Sequence, residues 1–215
     1  MNSVEFTALL FLTTAASFSP GPNTTLSTAL AANFGLRRAL GFVFAVPVGW
    51  GLLFSLCAAG VGTLVLALPM LRLGVTAVGV TYLLWLAWRL GGLRFEWRSR
   101  RWSQAPSHWH SDSARLNVTF WQGVLLQFLN IKAWMLALTV VAGWIAARPD
   151  ALQRFMLVLP VMLMFGFLSN LSYALMGSLL RDWLSGPDDS GQRLRWFNRC
   201  MALVLLFTAL WMSRI

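Results

Sequence analysis

Long stretches without charge are the feature that most constrains how this chain can fold. No charged residue occurs in residues 116–131 or 133–147, and the whole chain is 58% hydrophobic and only 11% charged. A membrane span needs about 20 consecutive, mostly apolar residues, and several runs in this chain reach that length. The pattern therefore predicts an all-α membrane protein.

Six transmembrane helices are predicted from these runs. Their approximate bounds are residues 4–34, 40–62, 71–90, 118–147, 155–180 and 196–212. The first and fourth runs are too long for one straight helix, and each is interrupted. Three spans in residues 1–90 and three in residues 118–215 would give the two halves opposite orientations. Inverted repeats with paired broken helices are typical of transporters whose site lies near the bilayer midplane.

Arginines are unequally divided between the two sides of the predicted bundle. Twelve flank or fill the loops between spans one and two, three and four, and five and six, namely Arg37, Arg38, Arg89, Arg94, Arg98, Arg100, Arg101, Arg115, Arg181, Arg193, Arg195 and Arg199. The other side has only Arg72, Arg148, Arg154 and Arg214. Cytoplasmic loops carry the excess of positive charge, so both termini are predicted outside the cytoplasm. Residues 91–117 then form a basic cytoplasmic loop facing the anionic inner leaflet, and the net charge does not indicate nucleic-acid binding.

Lys132 is the only charged residue inside a long apolar stretch. A lysine at the centre of a span costs a few kcal/mol on insertion scales, so such residues usually face a bundle interior or a substrate path. The alternative is that Lys132 lies near a helix end and snorkels, or that it caps the carbonyl groups of a broken helix.

The first span contains the motif Pro20-Gly21-Pro22. Neither proline has an N–H group, and their rings clash with a continuous helix, so the chain must break here. Pro22 suits the first turn of a new half-helix. The N–H groups of Asn23, Thr24 and Thr25 would then be unpaired and could hold a carboxylate. The alternative is a structural kink whose Asn and Thr side chains satisfy the backbone.

The fourth span gathers Gln127, Asn130 and Lys132 within two helical turns. Residues at i and i+2 diverge on a regular helix, so only a break near Ile131 lets Asn130 and Lys132 face one cavity. With Asn23, these groups offer donors for a carboxylate and acceptors for an ammonium group. The fifth span could extend the polar lining or bond to neighbouring helices through Ser169, Asn170, Ser172 and Tyr173.

No pattern predicts a metal, a cofactor or a reaction. Cys57 and Cys200 have no metal spacing, and His108 and His110 lie in a polar loop. No Asp, Glu or His occurs in a span beyond Glu5 at its outer edge, which argues against the alternative of a membrane-embedded enzyme. A second alternative, a membrane scaffold without transport activity, does not need two broken helices. No Walker A motif is present to bind ATP.

Small residues Gly41, Ala45 and Gly49 recur at four-residue spacing in the second span. Such a face allows close packing against a neighbouring helix or a second subunit. A homodimer is therefore among the predictions for this chain.

Three segments, taken in order, resemble the LysE/Rht family of translocators. Ser19-Pro20-Gly21-Pro22-Asn23-Thr24 is similar to the PGP motif of that family. The segment Thr81-Tyr82-Leu83-Leu84-Trp85-Leu86-Ala87-Trp88-Arg89 is similar to the aromatic end of its third span. Phe128-Leu129-Asn130-Ile131-Lys132-Ala133-Trp134 resembles its LLNPKAW element.

The resemblance covers essentially the whole chain and implies export of amino acids or related small zwitterionic metabolites. It places the protein in the bacterial inner membrane and implies that the proton gradient drives transport. Ile131 departs from the pattern, because the family usually has proline there. We therefore expect the helix to be less sharply broken beside Lys132 than in the family.

Overall fold

The computed structural model describes residues 1–62, 67–91, 118–185 and 191–214. The basic loop predicted for residues 91–117, apart from Gly91, lies outside these residues. The described part is all-helical and contains eight α-helices. Their bounds are α1 Ser3–Phe18, α2 Pro22–Phe34, α3 Leu36–Ala58, α4 Pro69–Gly91, α5 Phe120–Leu129, α6 Ile131–Val140, α7 Ala151–Ser185 and α8 Gln192–Met212. A single π-helical segment, Val141–Ile145, continues α6.

Four of these helices are long and apolar enough to cross a membrane, namely α3, α4 from Leu73, α7 and α8. The bent pair of α5 and α6 with its π-helical continuation makes a fifth if it counts as one span. Helix α1 is apolar but has only 16 residues. Length and composition thus give four or five spans in the described residues, where the sequence predicts six.

Local sequence explains where several helices begin and end. Asn2 and Glu5 form a capping box at the start of α1, and Thr119 and Gln122 form another at the start of α5. Pro22 occupies the first turn of α2, where its missing N–H is not needed. Gly35 joins α2 to α3 with a φ of 85°, a left-handed conformation that favours glycine.

The two halves of the sequence pack into one interleaved body. The most extensive contacts of α2 are with α7, and those of α4 are with α8. Helix α3 packs against both α5 and α7. Gly177 in α7 lies so close to the Thr28 carbonyl of α2 that a Cβ atom would clash with it. Small residues allow such backbone approach in membrane helices.

The predicted small-residue face of α3 is divided between two environments. A Cβ at Gly49 would meet the Val124 backbone of α5, and Ala45 packs against Gly123 of the same helix. No described residue lies within 4 Å of a Cβ built at Gly41. Ala45 and Gly49 therefore serve helix packing inside the chain, and Gly41 is open.

Two large apolar clusters and a small one fill the interior of the described part, the small one formed by Ala32, Leu184 and Leu194. The first large cluster joins α2, the first half of α3, α4, the second half of α7 and α8, with one residue each from α5 and α6. The second joins α1, the second half of α3, α6 and the first half of α7. Helix α3 passes from one cluster to the other between Val46 and Trp50, and α7 does so between Met162 and Ala174. This transition level is where the two helix breaks lie.

An ion-pair cluster closes the end of the bundle that carries Met1. Arg154 bonds to Asp150 at 2.8 Å and to Glu5 at 3.1 Å, and Arg148 lies 3.6 Å from Glu5. The indole N–H of Trp144 donates to the Glu5 carbonyl at 2.9 Å. The hydrogen bond from Arg154 holds the pKa of the Asp150 carboxyl below its usual value. These contacts tie the start of α1 to the turn between α6 and α7.

Candidate functional site

A cavity of about 70 Å³ lies between the two breaks. A single water needs roughly 10–15 Å³, so the space can hold a small molecule. Seven of the nine sequence-predicted site residues line it, namely Gly21, Pro22, Asn23, Thr24, Asn130, Lys132 and Asn170. The structure therefore brings together residues that are up to 149 positions apart in the sequence.

The Lys132 ammonium group bonds to the end of the first break. Its Nζ donates to the Ser19 carbonyl at 3.1 Å and lies 2.7 Å from the Ser19 hydroxyl oxygen. A Cβ built on Gly21 would lie 3.3 Å from the same Nζ. Lys132 thus caps a carbonyl of a broken helix, as one alternative predicted, and it also lines the cavity. The two roles are compatible because an ammonium group has three donors.

Side chains from the second half of the chain satisfy the last carbonyls around the C-terminus of α1. Ser169 donates to the Ser17 carbonyl at 2.6 Å, and Tyr173 donates to the Phe18 carbonyl at 2.9 Å. With Lys132 on Ser19, three successive carbonyls receive tertiary bonds. Inside a bilayer such groups must be satisfied within the protein, so these contacts make the break possible there.

The start of α2 differs in one respect from the prediction. The Thr25 N–H donates to the Gly21 carbonyl at 3.0 Å, so the expectation that it is unpaired is wrong. It makes the first regular i to i−4 bond of the half-helix. The backbone N–H groups of Asn23 and Thr24 have no hydrogen-bond partner among the described residues. The Thr24 hydroxyl bonds to the Gly21 backbone at 3.0 and 3.1 Å, so this side chain caps its own helix.

A pair of amide side chains links the two broken helices. Asn23 donates to the Gln127 oxygen at 2.8 Å, and Gln127 donates back to the Asn23 oxygen at 3.1 Å. Gln127 also donates to the Gly123 carbonyl at 3.1 Å. Gln127 is fully buried and does not line the cavity, so its contact with the site runs through Asn23.

The second break is sharp in spite of Ile131. Helices α5 and α6 meet at 67°, so the chain bends sharply here without a proline. The chain turns at Asn130, whose backbone is extended, and its side chain accepts from the Lys132 N–H at 3.2 Å. Trp134 donates its indole N–H to the Phe128 carbonyl at 2.8 Å. An asparagine cap and a nearby indole thus replace the proline, and the break lies at Asn130, beside the predicted Ile131.

The polar residues of α7 divide between the two predicted roles. Asn170 lines the cavity, and its oxygen accepts from Ser27 of α2 at 3.0 Å. Ser169 and Tyr173 bond to α1 as described, which is helix–helix bonding. Ser172 donates to the Leu168 carbonyl of its own helix at 2.7 Å.

Pro20 is the other predicted site residue outside the cavity lining, and its side chain is exposed. Sequence reasoning missed Ser19 as the partner of Lys132, although it directly precedes the proline motif. It also missed the apolar walls of the cavity, formed by Val46, Pro47, Trp50, Leu136, Met162 and Leu163. Pro47 could have indicated this wall from the sequence, because it is a proline inside a long helix.

Among the described residues no group of His, Cys, Asp and Glu could hold a metal ion.

A family of known proteins is similar in sequence to nearly the whole of this chain. The family described as LysE type translocator matches residues 14–214. Proteins named cysteine/O-acetylserine efflux protein from Salmonella typhimurium and Shigella flexneri are 26% and 24% identical over 210 residues, which cover 97% of each chain. One of the same name from Klebsiella pneumoniae is 28% identical over 181 residues, 84% of this chain and 86% of the relative. No solved structure matches.

Proposed function

The chain belongs to the LysE type translocator family and is a multi-pass exporter of amino acids in the bacterial inner membrane, and on that premise we propose that the cavity between its two breaks is the substrate site. The observation that carries this proposal is the position of Lys132, a cation within the apolar interior, on the break of the opposite half. Intramembrane cations usually mark substrate or ion paths. Family membership also favours transport over the alternatives of an embedded enzyme or a scaffold.

We propose that the substrate carboxylate binds between Lys132 and the start of α2. Within the described part of the chain the Asn23 and Thr24 N–H groups are unpaired, and a half-helix N-terminus carries partial positive charge. To receive a carboxylate, Lys132 would exchange at least part of its bonding to Ser19. A carboxylate adds the attraction between opposite charges, which the neutral Ser19 carbonyl does not offer to the ammonium group.

The amino group of the substrate would bond to amide oxygens. Asn130 and Asn170 line the same cavity and are nearly completely buried. Each amide oxygen has two lone pairs, so Asn170 can accept a second bond beside the one from Ser27. The cysteine and O-acetylserine of the relatives' name are the first candidate substrates for this chain.

We further propose six spans in two inverted repeats, residues 1–90 and 118–215, with both termini periplasmic and residues 91–117 cytoplasmic. The support is the break in each half together with the twelve-to-four arginine asymmetry. Reporter fusions at the C-terminus and at Ser107 test it, since they must report opposite sides. Two cytoplasmic reporters would contradict six spans. A homodimer stays a prediction, for which the open Gly41 face offers room.

Coupling to the proton gradient is proposed through Lys132 or through ionisation of the substrate itself. The described residues that line the cavity include no carboxylate, and among them Lys132 is the ionisable group in contact with the proposed substrate site. Export that persists unchanged when the proton gradient is collapsed would contradict both routes.

The direct test of the proposed function is export from a bacterial strain that lacks its own amino-acid exporters. Cells carrying the protein should release loaded cysteine and O-acetylserine faster than cells with an empty vector. Purified protein should also gain thermal stability from the transported amino acid, because a ligand that binds only the folded state stabilises it. Equal release from both strains for every amino acid of a broad panel would reject the proposal.

A further inference from the structure

The cavity has two chemically different ends. On α6, Leu136 lies four residues beyond Lys132, about 6 Å along the axis towards the Met1 end. On α7, Met162 lies eight residues before Asn170, about 12 Å in the same direction. The polar groups are therefore at the breaks, and an apolar wall lies towards the end with Met1. A substrate whose carboxylate is at Lys132 extends its side chain towards this wall.

Tight packing fixes the position of the apolar wall. Trp50 is 8% exposed and stacks on Phe54 with ring centroids 4.9 Å apart. Met162 is 3% exposed, and its sulfur accepts a hydrogen bond from the Thr13 hydroxyl at 2.9 Å. Leu136 and Leu163 complete the wall. Close-packed interiors yield little to larger groups, so the wall limits the size of a side chain that binds against it.

Charge on the substrate side chain has no partner at this wall. Lys132 alone is ionisable among the eighteen described residues that line the cavity. A second cation on the substrate would lie among apolar atoms in the same small cavity as the Lys132 ammonium. A second carboxylate would be desolvated against the wall without a donor. Burial of an unpaired charge is strongly unfavourable, so both types of substrate are disfavoured.

We propose that the wall of Trp50, Leu136, Met162 and Leu163 is the selectivity filter of this exporter, and that it admits α-amino acids with uncharged, non-aromatic side chains while it rejects basic, acidic and aromatic ones. This inference rests on the proposed substrate site. Lys132 and the groups at the breaks bind the carboxylate and amino groups that all amino acids share, so they cannot select among side chains. The four apolar residues would make that selection.

The test is export by the full-length protein in proteoliposomes preloaded with alanine, cysteine, phenylalanine, lysine or aspartate. Alanine and cysteine should leave at least tenfold faster than lysine, aspartate and phenylalanine. Lysine export as fast as cysteine export would overturn the charge rule, and phenylalanine export as fast as alanine export would overturn the size rule. Failure to export any amino acid would instead reject the proposed function, and the inference with it.

Two matched variants of Leu163 locate the filter, because this wall residue lies on α7 and not on the helix that carries Lys132. Leu163→Asp places a carboxylate on the wall and should raise the ratio of lysine to cysteine export at least tenfold. Leu163→Asn is similar in shape but uncharged, and it should leave lysine rejected. An unchanged ratio in inserted Leu163→Asp protein would overturn the assignment to this wall. If that variant does not insert, Leu163→Phe is tested instead. A smaller cavity should slow cysteine export more than alanine export, and equal slowing of both would count against the filter.

Discussion

The two breaks reach a similar geometry by opposite means. Two prolines force the break between α1 and α2, yet side chains distant in sequence satisfy the carbonyls there, from Lys132, Ser169 and Tyr173. The break between α5 and α6 has no proline, and residues within six positions satisfy its backbone through Asn130 and Trp134. The break that prolines impose thus depends on hydrogen-bond donors from distant parts of the chain, whereas the capped break uses partners close to it in sequence.

The largest effect is expected when the covalent break is removed. With Pro20→Ala and Pro22→Ala combined, helix α1 should continue into α2 and close the site. An interior proline costs a helix about 3 kcal/mol, so removing both prolines makes a continuous helix possible, and the double variant should still insert. Export and stabilisation by substrate should both be lost. Pro160→Ala, in the interior of α7, is the control and should export normally. A double variant that still exports would mean that the break is only a kink.

Lys132 joins the two breaks, so its replacement is the next test. Lys132→Met should reduce export to the empty-vector level in a protein that still inserts. Thr139→Met is the matched control, because Thr139 is exposed on the same helix outside the cavity. Lys132→Arg separates two roles of the cation, since a permanently protonated guanidinium can bind a carboxylate but cannot relay a proton. Normal export by Lys132→Met would leave Lys132 with a structural role alone.

Ile131→Pro would place a proline at the second break, which has none, as at the first break. Ile131 is the first residue of α6, and its N–H has no partner in the described structure. Asn130 before it is already extended, as a residue before proline prefers. Ile131 is buried, so Ile131→Ala is the control for lost packing. The proline variant should export and withstand heat at least as well as the alanine variant. A lower melting temperature for proline would contradict the local account of this break.

Smaller losses of stability should distinguish a carbonyl group that depends on a donor from another helix from one that is bonded within its own helix. Tyr173→Phe leaves the Phe18 carbonyl without its donor and should cost roughly 0.6–1.7 kcal/mol, as for other interhelical bonds in membranes. Thermal unfolding in detergent measures it, with Ser172→Ala as the control because Ser172 bonds within its own helix. Equal stability of the two variants would indicate that the α1 carbonyl does not need Tyr173.

The smallest effect is expected far from both breaks, in the ion-pair cluster at the Met1 end. The pKa of Asp150 is lowered from 3.8 by the hydrogen bond from Arg154. Its contribution to stability is therefore complete above the unfolded pKa and is lost as pH falls through the lower folded value. Asp150→Asn should slightly destabilise the protein at neutral pH and flatten its loss of stability below about pH 4. Identical acid profiles for the two proteins would exclude this linkage.

Much of the architecture and most of the site could be predicted from the sequence. Uncharged runs identify helices because bilayer crossing requires them, and Pro20-Gly21-Pro22 must break a helix because proline lacks an N–H. The angle of the bend at Asn130 could not be predicted, since a helix cap depends on the groups that surround it and the sequence does not give that environment. The error at Thr25 has a simpler cause, because the Gly21 carbonyl was available one turn earlier.

The sequence by itself determined that the chain is helical, that it breaks at the proline motif and that one cation lies among apolar residues. These outcomes follow from covalent geometry and from the cost of polar groups in hydrocarbon, which act on each segment alone. Only the tertiary structure decided that Lys132 meets Ser19 and that Trp50 and Met162 form a wall opposite the amides. Such pairings depend on how α3, α6 and α7 cross, and packing across the two halves sets that crossing.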